Sequence, residues 1–133
     1  MDRPMPSPTP TAVTPILRIF DIDKARDFYV GFLGFTIDWE HRYGPDFPLY
    51  MQVSRGKVTL HLSEHHGDAC PGAKIYITTT DIADYHKEIT AKGYPYARPG
   101  LDDAPWDKNA KLIQLTDPFG NRITFTDKAF WPG

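Results

Sequence analysis

The chain has 133 residues, 41% of them hydrophobic and 14% aromatic, with 15 basic against 17 acidic side chains and a formal charge of −2. This composition suits one globular domain that buries roughly 65 to 70% of its unfolded surface, so neither disulfides nor a structural metal are needed for stability. The basic excess that phosphate-backbone binding demands is missing, no apolar run reaches the ~18 residues of a membrane span, and the single cysteine, Cys70, precludes an internal disulfide. Neither nucleic acid nor membrane is expected as a partner, and a reducing cytoplasm fits best.

Five of the 13 prolines, Pro4, Pro6, Pro8, Pro10 and Pro15, fall in the first fifteen residues, which predicts a disordered leader over 1–11 and a single domain over 12–133. Residues 13–20 read as a strand. Asp21 or Asp23 then caps a helix in which Ile22, Ala25, Phe28, Tyr29, Phe32 and Leu33 recur at helical spacing, and Gly34 ends it. Strands follow at 36–41, 49–54 and 58–63, the last two joined by a tight turn at Arg55 and Gly56. The order then repeats. Residues 74–80 form a β-branched run, Asp81 caps a helix carrying Ile82, Tyr85 and Ile89, and Gly93 closes it. A proline-interrupted stretch runs to Pro105, followed by a strand at 111–116, a turn at 117–121 and a last strand at 122–126. The chain is thus expected to be an α+β protein of two βαβββ modules, about 13–66 and 73–127.

Alternation assigns faces to these strands. Val58, Leu60 and Leu62 point one way and Thr59, His61 and Ser63 the other, and a turn at Arg55-Gly56 would pair Tyr50 with His61 and Gln52 with Thr59 on the polar side. In the second module Ile75, Ile77, Ile123 and Phe125 face the core, leaving Lys74, Tyr76, Thr78, Arg122, Thr124 and Thr126 opposite. Polar faces carrying aromatic rings suit a ligand cavity, the plainer alternative being a solvated sheet face. Trp106 lies among Asp102, Asp103 and Asp107, and Trp39 and Phe47 lie near Glu40 and Asp46, a pairing of rings and carboxylates that suits a planar cationic compound. The candidate ligand-binding residues are Trp39, Phe47, Tyr50, Gln52, His61, Tyr76, Trp106 and Gln114, with Trp106 closing over His61, Tyr50 and Gln52. His61, His65 and His66 with Glu64 and Asp68 match no defined metal-ligand spacing, and neither Cys70 nor Ser63 has the setting of a nucleophile.

The run Asp21-Ile22-Asp23-Lys24-Ala25-Arg26-Asp27-Phe28-Tyr29, closing on Phe32-Leu33-Gly34-Phe35, resembles the first helix of the vicinal oxygen chelate superfamily, which includes glyoxalases, extradiol dioxygenases and bleomycin-resistance proteins. Residues 58–61, and 116–125 with Asp117-Pro118-Phe119-Gly120-Asn121 at the turn, resemble its closing strands, and the chain is most similar to the glyoxalase/bleomycin-resistance group. The resemblance implies curved mixed sheets around a ligand cavity, a homodimer, and metal-ligand positions that fall here on Thr14, His61, Lys74 and Thr124. Only His61 is a good ligand, so no metal or other cofactor is expected. The implied function is non-catalytic binding of a small molecule, such as a bleomycin-type antibiotic, with resistance by sequestration. The alternatives are an enzyme of the same superfamily with a non-standard or absent metal site, and a structural domain with a vestigial cavity. Whether modules pair within a chain or across the dimer is left open.

Overall fold

The computed structural model describes residues 5–128 and repeats one order of elements twice. The first module contains β1 (Ile16–Arg18), helix α1 (Ile22–Ala25, continued by a wider π-helical stretch, Arg26–Phe32), β2 (Thr36–His41), β3 (Tyr50–Arg55) and β4 (Val58–Ser63). The second contains β5 (Lys74–Thr78), α2 (Ile82–Ala91), β6 (Asp102–Ala104), β7 (Asp107–Thr116) and β8 (Arg122–Thr126). Each module forms a mixed four-stranded sheet, ordered β1-β4-β3-β2 and β5-β8-β7-β6, in which the first strand lies parallel to the last and all other pairs are antiparallel. Of the expected leader, residues 5–11 are exposed and outside any helix or strand, and 1–4 lie outside the described residues, as do 129–133. No helix among the described residues is long and apolar enough to cross a membrane.

Helix α1 starts where Asp21, in extended backbone, accepts the Lys24 amide on its carboxylate at 2.9 Å. Its wider continuation, marked by Leu33 N–H donating to the Phe28 carbonyl at 2.9 Å, buries Phe28, Tyr29 and Phe32 together. Gly34 ends the helix at φ 77°, and a Cβ there would overlap the Arg55 guanidinium. The freed carbonyls of α1 are satisfied by groups that include two from the other module: Leu33 accepts from Tyr85 Oη at 2.7 Å and Arg55 Nη1 at 3.0 Å, and Phe32 accepts from Lys92 Nζ at 3.0 Å. Arg55 also grips Glu88 of α2 through two hydrogen bonds of 2.6 and 2.9 Å.

Three expectations are corrected. Asp81 precedes α2 but does not cap it, because it sits in the left-handed region at φ 51° with no side-chain bond to the helix. The β3–β4 loop is Gly56-Lys57 rather than Arg55-Gly56, since the first loop position needs a positive φ and Gly56 supplies it at 58°. The register therefore pairs Tyr50 with Ser63 and Gln52 with His61, a slip of two that leaves every side chain on its expected face. The stretch before residue 111 was expected to be irregular. Instead β6 and the early part of β7 form a hairpin around Pro105-Trp106, held by a small cluster of Ala104, Ala110 and Leu112 with Trp106 against it.

The main core draws on both modules, from Leu17, Phe28, Leu60 and Leu62 to Ile89, Ile113, Ile123 and Phe125. Inside it, Tyr29 donates to Asp117 Oδ2 at 2.6 Å, while Asp117 also accepts from the amides of Phe119 and Asn121 and from Asn121 Nδ2. Asn121 Nδ2 reaches back to the Arg18 carbonyl at 2.8 Å. Burial, and next the Asp117 charge, hold the Tyr29 phenol well above its ordinary range, so it stays a donor.

Tyr29→Phe removes one charge-assisted bond and should lower stability by about 1.5–3 kcal/mol in urea denaturation, whereas Asp117→Ala strands four donors and should cost more, about 3–5 kcal/mol. Arg55, through its hydrogen bonds, holds the Glu88 carboxyl below the usual carboxylate range, so the pair's contribution is present at neutral pH and lost as pH falls through the folded-state value. The stability difference between the wild type and Glu88→Gln should be at most about 1 kcal/mol at pH 7, because the pair is partly exposed, and should vanish in acid once the folded-state carboxyl is protonated.

Candidate functional site

Both sheets keep one face on the core and present the other outward. On the first sheet the outward face carries Trp39 and His41 from β2, Tyr50 and Gln52 from β3, and His61 from β4. Strict alternation would put Trp39 beside Ile37 on the core side, but the register shifts between these two residues, a β-bulge at Asp38 that turns Trp39 outward opposite Gln52. Trp39 and Tyr50 stack with centroids 5.9 Å apart and planes at 11°, and both meet the His61 ring edge-on, at 5.3 and 5.1 Å.

One hydrogen-bond chain fixes these rings. Gln52 Nε2 donates to Asp38 Oδ2 at 3.1 Å, which leaves Gln52 Oε1 to accept from His61 Nε2 at 2.9 Å. A neutral imidazole protonated on Nε2 then accepts the Tyr50 hydroxyl on Nδ1, at 2.6 Å. Partial burial, with the nearby Asp68 charge, holds the Tyr50 phenol above its ordinary range, which keeps the donor in place. Hydrogen bonds from Ser54 and Gln52 hold the Asp38 carboxyl below its ordinary range. Asp38 was not foreseen as part of this site, and a non-glycine bulge leaves no mark in the sequence by which to find it.

The other expected residues lie elsewhere. Tyr76 and Trp106 meet edge-on at 6.1 Å on the outward side of the second sheet, where Gln114 is exposed. Thr124 and Thr126 share that face yet are 2% and 0% exposed, against the expectation of an open polar row. Phe47 is exposed in the β2–β3 loop, its carbonyl held by Arg42. Trp106 thus packs on the second sheet's hairpin, while His61, Tyr50 and Gln52 form their group on the first. A cleft of about 520 Å³ between the modules, lined by Phe35, Arg55, Ile77, Asp81, Tyr85 and Glu88 among others, contains none of the eight expected residues. We place the candidate site on the sheet faces because the rings and ordered polar groups are there.

The model of the family described as glyoxalase superfamily protein matches residues 10–130. The chain belongs to this family. A glyoxalase superfamily member of this architecture has the vicinal oxygen chelate fold, and its structural neighbours agree. The bleomycin-binding protein from bleomycin-producing Streptomyces verticillus, complexed with copper(II)-bleomycin, superposes with a TM-score of 0.67 at 26% identity, covering 92% of this chain and 100% of its own. The bleomycin resistance determinant encoded on the transposon Tn5 gives 0.66 at 23% identity, covering 91% and 100%. A glyoxalase/bleomycin resistance protein from Streptomyces sp. CB03234 gives 0.60 at 20%, covering 84% and 96%. A comparison with curated protein sequences finds no match.

The four positions at which the superfamily resemblance would place metal ligands do not fit a metal in this glyoxalase superfamily chain. Both nitrogens of His61 are engaged, by Tyr50 and Gln52, Lys74 brings an exposed ammonium, Thr124 is a buried hydroxyl and Thr14 is exposed. Among the described residues, no group of three or more His, Cys, Asp or Glu could share an ion. His65 lies against the Tyr43 ring at 6.0 Å and His66 is exposed.

The two faces of β4 can be separated by stability. His61→Ala should change the unfolding free energy by no more than about 1 kcal/mol, because it gives up partly exposed polar contacts, whereas Leu60→Ala should cost about 2–5 kcal/mol. Chemical denaturation of the two neighbours in parallel checks the assignment, and equal losses would refute it.

Proposed function

We propose that this protein binds a planar aromatic small molecule, of which bleomycin-type antibiotics are the leading class, and confers resistance by holding it unaltered. The observation that carries this reading is the Trp39–Tyr50 stack on the outward face of the first sheet, with its rings held by the Tyr50–His61–Gln52–Asp38 chain. Trp39 remains 42% exposed, so it offers a flat apolar surface already ordered, and a ligand loses little freedom of the protein on binding. The same chain argues for binding over catalysis. His61, an imidazole held in a fixed orientation at the centre of this face, spends both nitrogens on neighbours, so it neither activates a nucleophile nor offers a metal an open position. Tyr76 and Trp106 supply a second aromatic surface on the other sheet.

A homodimer accommodates this arrangement, because two outward faces on separate sheets become one enclosed site when a second copy lies against them. The cytoplasm is the natural compartment for its free, exposed Cys70. The alternative, an enzyme of the same superfamily, draws support from the 2.6 Å Tyr50–His61 bond, a pair suited to proton transfer.

Calorimetric titration with metal-free bleomycin should give saturable binding, and Trp39→Ala should weaken it by roughly 1–3 kcal/mol with little change in folding. Mass spectrometry of the recovered drug should return its starting mass, whereas a modified product would favour the enzyme. Light scattering should give twice the 15.1 kDa chain mass, and the monomer mass at micromolar concentration would count against the shared site.

A further inference from the structure

We propose that the outward face of the second sheet binds an oxyanion through Lys74 and Arg122, so that the protein also takes planar aromatic compounds that carry a carboxylate or phosphate group. This rests on the binding reading above and adds a second ligand class to it. The register of the sheet sets out the geometry in rows. Lys74, Arg122 and Thr116 stand side by side across β5, β8 and β7, and the next row contains Tyr76, Thr124 and Gln114. Lys74, Arg122, Thr116 and Gln114 are all exposed on this face. Lys74 Nζ lies 5.3 Å from the centre of the Tyr76 ring, which places a cation beside an aromatic surface.

Two like charges on adjacent strands repel each other, and a fold gains nothing by placing them there. Neither has an ion-pair partner among the described residues, although two other lysines of this module are paired, Lys111 with Asp103 and Lys128 with Asp107. Asp117, at the start of the turn that leads to Arg122, is fully used by Tyr29, Asn121 and the amide of Phe119. A third cation, Arg18, belongs to the same neighbourhood, since its carbonyl accepts from Asn121, the residue before Arg122. Its guanidinium is occupied with the Phe20 ring and the Ile19 carbonyl. An oxyanion between Lys74 and Arg122 would relieve their repulsion, take the paired donors of the guanidinium, and have the Thr116 hydroxyl within the same row. A ring attached to it would fall in the next row, at Tyr76.

The test compares 1-naphthoate with its neutral isostere 1-naphthamide by titration calorimetry on the full chain. The naphthoate should bind at least about tenfold more tightly, the scale of one charge-assisted hydrogen bond. Lys74→Gln and Arg122→Gln should each remove most of that preference, and raising salt from ~20 to ~300 mM should weaken the naphthoate alone. Thermal unfolding of both variants should stay close to the wild type, because both side chains are exposed, whereas a structural role would lower it. Equal binding of naphthoate and naphthamide, or binding of bleomycin with none of naphthoate, overturns the anion site and leaves the proposed function standing. Failure of all three compounds to bind overturns both.

Discussion

The buried carboxylate of Asp117 is the constraint on which the arrangement of the molecule depends. Hydrophobic burial drives the two modules together but has no direction. Asp117 supplies direction, because a buried charge must be met by donors on every side, and its donors come from α1 through Tyr29 and from its own turn through Phe119 and Asn121. Asn121 extends the network to the Arg18 carbonyl at the end of β1 and the Ala73 amide that precedes β5. One edge strand of each sheet is thereby tied to a single turn of the second module. A rotation of one module against the other would break several of these bonds together, so the core packs in one orientation and the opposite faces of both sheets remain outward.

That orientation decides where function can reside. Each strand spends alternate side chains on the core, so chemistry is confined to the other half of its residues. The two modules share a fold but use the spare face differently. The first builds a stacked pair of rings over a chain of polar groups ending in a charged carboxylate, and the second sets Lys74 beside the Tyr76 ring with Arg122 on the neighbouring strand. A common scaffold can thus carry different chemistry on its spare faces.

The same alternation governs how much of the site could be read from the residues alone. Alternation puts Tyr50, Gln52 and His61 on one face, and the two-residue slip in the β3–β4 register does not move them, because side-chain direction has period two. Trp39 reaches this face only through the bulge at Asp38, and nothing about an aspartate in a strand announces a bulge. Trp106 was expected over His61, yet a hairpin that draws Ala104, Ala110 and Leu112 together holds it on the second sheet. Three aspartates between residues 102 and 107 argue against strand structure locally, and the small cluster outweighs that propensity.

By itself, the sequence determined the order of elements outside the β6–β7 hairpin, the helix stop at Gly34 and the core side of most strands, because these follow from local backbone preference and from periodicity. Tertiary structure alone decided the orientation of the modules, the partners of His61, the division of the aromatic residues between two sheets and the pairing of Lys74 with Arg122. Each of these joins residues far apart in the chain through a register or a buried bond, and such contacts are set by how the elements pack, which no local pattern encodes.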